Sequence, residues 1–210
     1  MTEQFGPGGS VDAAVHLEEI FGDDGSVSPI ADRIAQGNTR LVELIGPHLR
    51  LKGRISLGYH RRLTDLMNSH EGMFRIGDAL VLRRNGDPTR VSVPDLWVAP
   101  AEVTLIADLE VGETTTPTAQ DLQIPKVQVG LIIVTPGHTI NGTVYTPPGA
   151  QLDVFVESPT PPFVPMTDVH TRSLADRRVR AHYEFAVLNR RHIVAASAMP
   201  EHLHDSRRTL

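Results

Sequence analysis

The chain repeats itself at long range. At an offset of 89 residues Pro47 aligns with Pro136, Gly53 with Gly142, Leu63 with Leu152 and Phe74 with Phe163. After one inserted residue, at an offset of 90, Asp78 aligns with Asp168 and Arg90 with Arg180. Apolar character is kept between these identities, as in Val42 and Leu131, Leu44 and Ile133, Leu51 and Ile140, Ile55 and Val144, and Val103 and Ile193. Near the end Ala107 meets Ser197, which keeps size without identity. A doubled unit restricts the fold, because each copy must form the same elements. A small sheet also leaves an apolar face or an open edge that its twin can cover.

Within a copy the periodicity is that of strands. Residues 41–45 are an apolar run. Leu49, Leu51, Gly53, Ile55 and Leu57 alternate with Arg50, Lys52, Arg54 and Ser56, the pattern of a half-buried strand. Residues 62–69 place Leu63, Leu66 and Met67 as two helical turns would. Residues 79–82 read as a strand, and Arg84-Asn85-Gly86-Asp87 signals a hairpin, since Asn-Gly supplies the positive φ angles of a type I′ turn. Further strands are expected over 90–93, 96–99 and 103–107. Each unit is thus strand, strand, short helix, then three strands. The second copy departs at its helix, where Pro147-Pro148 and residues 151–156 are more β-like.

The expected fold is mainly β, with two tandem small β-rich modules, each holding at most one short helix, in a pseudo-symmetric arrangement. Module 1 spans 39–109 and module 2 spans 127–199. Residues 110–126, rich in Thr and Pro, form a linker or long loop. Residues 1–38 form an arm with two short helices: one over 11–21, capped by Ser10 and stopped by Gly22, and one opened by Ser28-Pro29 and ended by Gly37-Asn38. Residues 200–210 form a polar tail.

Composition removes several classes of function. The 210 residues suffice to bury roughly 70% of the unfolded surface without staples. Cysteine is absent, which excludes disulfides, thiolate metal sites and a cysteine nucleophile. No apolar run reaches about 18 residues, so no membrane helix is expected. Met1-Thr2-Glu3-Gln4 has no basic n-region or apolar h-region, so the expected location is the cytoplasm. A net charge of -5 argues against general nucleic-acid binding. Acids predominate in residues 1–46 and arginines in residues 170–210, so head and tail attract weakly within one chain or between two.

No phosphate-binding Gly-x-x-x-x-Gly-Lys loop, no Gly-x-Ser-x-Gly elbow and no His-Glu-x-x-His pair is present. Asp23-Asp24-Gly25 lacks the alternating ligands of a calcium loop. Catalytic residues, cofactor and metal are therefore not expected. Asp78 and Asp168 read either as a carboxylate pair across a pseudo-twofold or as aspartates that close a turn onto backbone N–H groups; the second reading is preferred. Gly53 and Gly142 read as bulges or close strand approaches. Phe74 and Phe163 belong with them as repeated structural positions, and Asn68 and Asn189 as turn or cap residues. Arg177, Arg178, Arg180, Arg190 and Arg191 form a candidate basic patch on neighbouring strands, able to meet an acidic partner, a phosphate or nucleic acid, or simply to blunt a sheet edge. His170, His182 and His192 have no acidic partner evident by spacing. His48 and His138 read as strand-start turns, and His202 and His204 as part of the tail. Trp97, the only tryptophan, reads as a core anchor.

Two resemblances follow from these residues. The first copy carries Gly53, Arg62-Leu63-Thr64-Asp65-Leu66-Met67-Asn68, Phe74 and Asp78-Ala79. The second carries Gly142, Leu152-Asp153, Phe163, Thr167-Asp168 and Val187-Leu188-Asn189-Arg190. Together they resemble two tandem copies of a bacterial domain family with no assigned activity, over about two-thirds of the chain. The first copy departs from that pattern by having Ala99-Pro100 for the closing Asn-Arg. More distantly, Gly58 to Asp65, Met67-Asn68 and Asp78-Ala79 resemble the Sm-like RNA-binding barrel, with Leu66 alone between Asp65 and Met67 where that family has two residues. The expected role is a non-enzymatic interaction, assembly or regulatory module with a protein partner or self-association. The alternatives are a small-ligand or nucleotide sensor built on the arginine cluster, and Sm-like RNA binding.

Overall fold

The computed structural model describes residues 38–82, 90–110, 126–158 and 160–200. The expected N-terminal helices, the Asn85-Gly86 hairpin, most of the linker and the tail with His202 and His204 lie outside them. The strands are β1 (Thr39–Ile45), β2 (Arg50–Ser56), β3 (Phe74–Leu82), β4 (Arg90–Val98), β5 (Leu105–Asp108), β6 (Val127–Val134), β7 (His138–Thr146), β8 (Phe163–Ser173), β9 (Arg180–Asn189) and β10 (Ala195–Ala198). Helix α1 (Leu63–Ser69) follows β2 and α2 (Leu152–Glu157) follows β7, and short 3-10 turns follow β4 and β9. The protein is mainly β, and strand, strand, helix, three strands occurs twice. Among the described residues no helix is long and apolar enough to cross a membrane.

All ten strands belong to one antiparallel sheet in the order β10-β6-β7-β8-β9-β5-β1-β2-β3-β4. The first half, β1 to β5, has the internal order β5-β1-β2-β3-β4. The second half has the corresponding order β10-β6-β7-β8-β9. The halves meet side by side, where β5 pairs with β9 through Leu105–Leu188, Ile106–Val187, Ala107–Ala186 and Asp108–Phe185.

Three elements differ from the periodicity. The β-like segment of the second copy forms α2, because Leu152 and Phe155 pack on the second apolar cluster and burial overrides local propensity. The two strands expected over 90–93 and 96–99 are one, β4, which runs through Pro94. An edge strand tolerates this, since one of its sides has no ladder partner to lose. Trp97 is not a core anchor: it lies on β4 with 60% of its surface exposed.

The recurring Gly and Asp belong to one device. Pairing of β2 with β3 shifts between Lys52 and Arg54, and pairing of β7 with β8 shifts between Asn141 and Thr143. Gly53 and Gly142 sit at these shifts. The extra residue falls on the facing strand, where Asp78 has φ 49° and Asp168 has φ 51°. Aspartate is among the few L residues that enter the left-handed region at modest cost. The glycine lets the bulged strand approach: a Cβ on Gly53 would lie 2.3 Å from Ile76 Cγ2 and 2.8 Å from the Gly77 carbonyl oxygen. Phe74 and Phe163 are both buried at the starts of the strands that carry the bulges, but they are not equivalent: Phe74 faces Val98 while Phe163 faces Asn189, so Val164, opposite Leu188, is the counterpart of Phe74.

Each of the two apolar clusters draws residues from both halves. Phe163 and Val187 of the second half pack with Val42, Leu44, Leu51 and Phe74, while Ile45, Leu105 and Ala107 of the first half pack with Leu131, Ile133 and Met166. Polar groups fasten the same seam. Asn68 Nδ2 donates to the Phe163 carbonyl (2.8 Å) and Asn68 Oδ1 accepts from the Phe163 N–H (2.9 Å). Asn189, 1% exposed, donates to the carbonyls of Val103 (2.9 Å) and Pro100 (3.3 Å) and accepts from the Arg191 N–H (3.1 Å). His192 Nε2 lies 2.7 Å from the Ala101 carbonyl and Nδ1 2.7 Å from the Thr104 hydroxyl. A carbonyl only accepts, so Nε2 carries a proton and donates it there. Buried Glu43 binds Arg50 Nε (2.8 Å) and Lys52 Nζ (3.4 Å). Burial, with the Glu43 charge adding to it, pushes the nearby Tyr183 hydroxyl far above its ordinary value against the pull of Arg50, so it stays neutral.

Asn189→Ala leaves two carbonyls and one N–H without this partner inside the seam, and is expected to cost about 2–3 kcal/mol, read by urea denaturation. Asn68→Ala, in a less enclosed position, is expected to cost about 1–2 kcal/mol in the same measurement.

Candidate functional site

The candidate site lies on β7, β8 and β9, next to the bulge on β8. Two rows cross these strands in register. Asn141, His170 and His182 form one, and Thr139, Arg172 and Arg180 form the next. With Arg177 from the turn between β8 and β9, they line a cavity of about 600 Å³.

At the centre, His170 and His182 face each other directly across β8 and β9. Their rings stack at 4.3 Å with planes 24° apart. Both point Nε2 at one oxygen, Asp168 Oδ1, at 3.1 Å and 2.9 Å respectively. A carboxylate only accepts, so each Nε2 carries a proton. Partial burial works to raise the Asp168 pKa. The His182 hydrogen bond and the His170 charge outweigh it, and the carboxyl sits below its ordinary value. This stabilisation is present above the ordinary carboxylate pKa and is lost as pH falls through the depressed one. Asp168→Asn is therefore expected to flatten the acid side of the melting-temperature profile below about pH 4, measured by calorimetry.

The aspartate is common to both halves, but the histidines are not. At the equivalent positions of the first half, Asp78 keeps the same backbone angle while Leu80 and Ser92 are the cross-strand pair. Leu82 stands where Arg172 does, and Arg50 and Lys52 stand where Thr139 and Asn141 do. The second half thus carries a polar constellation that its scaffold does not require.

The five arginines singled out from the sequence do not form one patch. Arg177 and Arg180 line the cavity, joined by Arg172, and Arg178 is not among the lining residues. Arg190 and Arg191 lie in the 3-10 turn after β9, not on a strand. Arg190 stacks over the Phe155 ring at 4.5 Å and donates to the Ser158 carbonyl (3.1 Å), and burial lowers its pKa. Its position is a packing one.

The absence of an acidic partner for His170 and His182 is also corrected: Asp168 is two residues before one and across the sheet from the other. Their ligand-capable atoms, with that of Asp168, lie within 4.8 Å of one another, a spacing a metal ion can bridge. Asp78 takes no part in this group. The signal that finds these residues is the difference between the copies, at 80 and 170 and at 92 and 182.

Comparison with protein-family models, with curated proteins and with solved structures finds no match to this chain.

Proposed function

We propose that this chain is a non-enzymatic assembly module, a doubled five-strand unit that associates head to tail with further copies of itself. One observation supports the reading above all others: the joint inside the chain is a strand addition, and among the described residues the same two kinds of edge stand unpaired at the ends of the sheet. Inside the chain β5 adds to β9. Their equivalents are β10 and β4, the two edge strands. Carrying the internal register across sets Ala195 opposite Val98, Ala196 opposite Trp97, Ser197 opposite Leu96 and Ala198 opposite Asp95.

Exposure supports the same match. Trp97 is 60% exposed, while its equivalent Val187 is fully buried at the joint. Val194 is 68% exposed, while its equivalent Thr104 is 1% exposed. Covering the open part of Trp97 contributes about 3 kcal/mol of apolar transfer. Pro94 interrupts the β4 edge just before the four-residue stretch and limits strand addition to it. The outer joint is weaker than the inner one, because Ala99 replaces the Asn189 that fastens β5. The contact joins unlike surfaces, so repetition closes a ring or extends a filament and does not stop at a twofold dimer.

The chain has no cysteine, which makes the register testable. A variant with Asp95→Cys and Ala198→Cys, both at exposed positions, is expected to form a ladder of disulfide-linked oligomers on mild oxidation. Asp95→Cys with Ser197→Cys, whose side chains point to opposite faces, is expected to form none. Equal cross-linking of the two variants, or a cross-link confined within one chain, contradicts the reading.

A further inference from the structure

We infer that the cavity on β7, β8 and β9 is a binding site for a small tetrahedral oxyanion, a phosphate or the phosphate end of a monoester. The inference stands apart from self-association, which uses other residues. Arg172 and Arg180 are directly opposite on adjacent strands, and like charges in that position repel. Arg177 adds a third guanidinium to the same cavity. Among the described residues, none of the three forms an ion pair with a carboxylate.

The carboxylate beside them, Asp168, is already shared by His170 and His182, whose Nε2 protons it accepts, so the two rings screen its charge from the cavity. The first half shows that the sheet folds without this arrangement, with Leu80, Leu82 and Ser92 at the corresponding positions. Thr139 and Asn141 bring neutral polar groups where the first half has Arg50 and Lys52. The result is a cluster of donors with an excess of positive charge around a space that admits a phosphate and part of the group it esterifies. Guanidinium groups suit such a ligand because their paired N–H donors match two of its oxygens. A divalent cation at Asp168, His170 and His182 would meet the field of three guanidinium groups, so the charge of the cavity favours the anion.

Isothermal titration of the full chain at neutral pH and low chloride, with inorganic phosphate as the probe, tests this. One site is expected, weakened about tenfold or more by Arg172→Leu and by His170→Leu with His182→Ser, the size of a lost charge-assisted hydrogen bond. These substitutions install the residues of the first half and are expected to leave the circular dichroism unchanged. Should either disturb the fold, Arg177→Ala, at an exposed turn, gives the same weakening. Arg178→Ala, outside the cavity, leaves binding unchanged. A nucleoside monophosphate that binds more tightly than phosphate identifies an ester as the ligand, and equal binding identifies the free ion. The inference is overturned by the absence of phosphate binding up to about 10 mM, by binding that survives the cavity variants, or by zinc binding lost in the histidine variant while phosphate does not bind.

Discussion

Lysine at Val187 is expected to unfold the protein, while lysine at the equivalent position Trp97 leaves it folded and removes self-association. Val187 is fully buried, packs in the first apolar cluster and faces Ile106 across the joint. A lysine there has no carboxylate partner and replaces apolar contacts on both sides of the seam, at a cost of about 4 kcal/mol or more. Trp97 presents most of its surface to solvent within a single copy, so Trp97→Lys costs about 1 kcal/mol or less in urea denaturation. In the associated state the same lysine would occupy the place of the buried Val187, and sedimentation is expected to show a single copy at every concentration. A Trp97→Lys protein that associates like the wild type would separate Trp97 from the contact.

The two bulge glycines are expected to respond unequally to alanine. At Gly53 the added Cβ meets Ile76 Cγ2 at 2.3 Å and backbone at 2.8 Å, and backbone in a paired strand has nowhere to move. Gly53→Ala is expected to cost about 3 kcal/mol. At Gly142 the nearest atom is Met166 Cε at 2.9 Å, the end of a flexible side chain, with the Thr167 carbonyl oxygen at 3.3 Å. Methionine adjusts its outer torsions readily, so Gly142→Ala is expected to cost about 1 kcal/mol. Thermal denaturation of the two variants side by side checks the order; equal losses would mean that the glycines answer a shared backbone requirement and not the space around them.

The order of elements was readable because it depends on local periodicity and on repetition. Leu49 to Leu57 alternates as a strand must, and the recurring Gly53 and Gly142 with Asp78 and Asp168 mark where each bulge lies. The joint was not readable. Pairing of β5 with β9 joins residues far apart in sequence, and a four-residue strand such as Leu105 to Asp108 fits many edges equally well. Trp97 was misplaced for the same reason, since its type suits a core and only the strand order puts it on an edge. Asn189 was legible as a cap, which it is for the 3-10 turn, but its larger part in holding Val103 and Pro100 needed the seam. The histidine pair escaped because cross-strand neighbours twelve residues apart leave no mark in spacing.

Sedimentation velocity of the wild-type chain over a wide concentration range tests the central claim most directly. Association through β10 and β4 in the manner of the internal joint requires the weight-average mass to rise above 23.0 kDa as concentration increases toward about 200 μM, and to fall back on dilution. A mass that stays at 23.0 kDa throughout would contradict it.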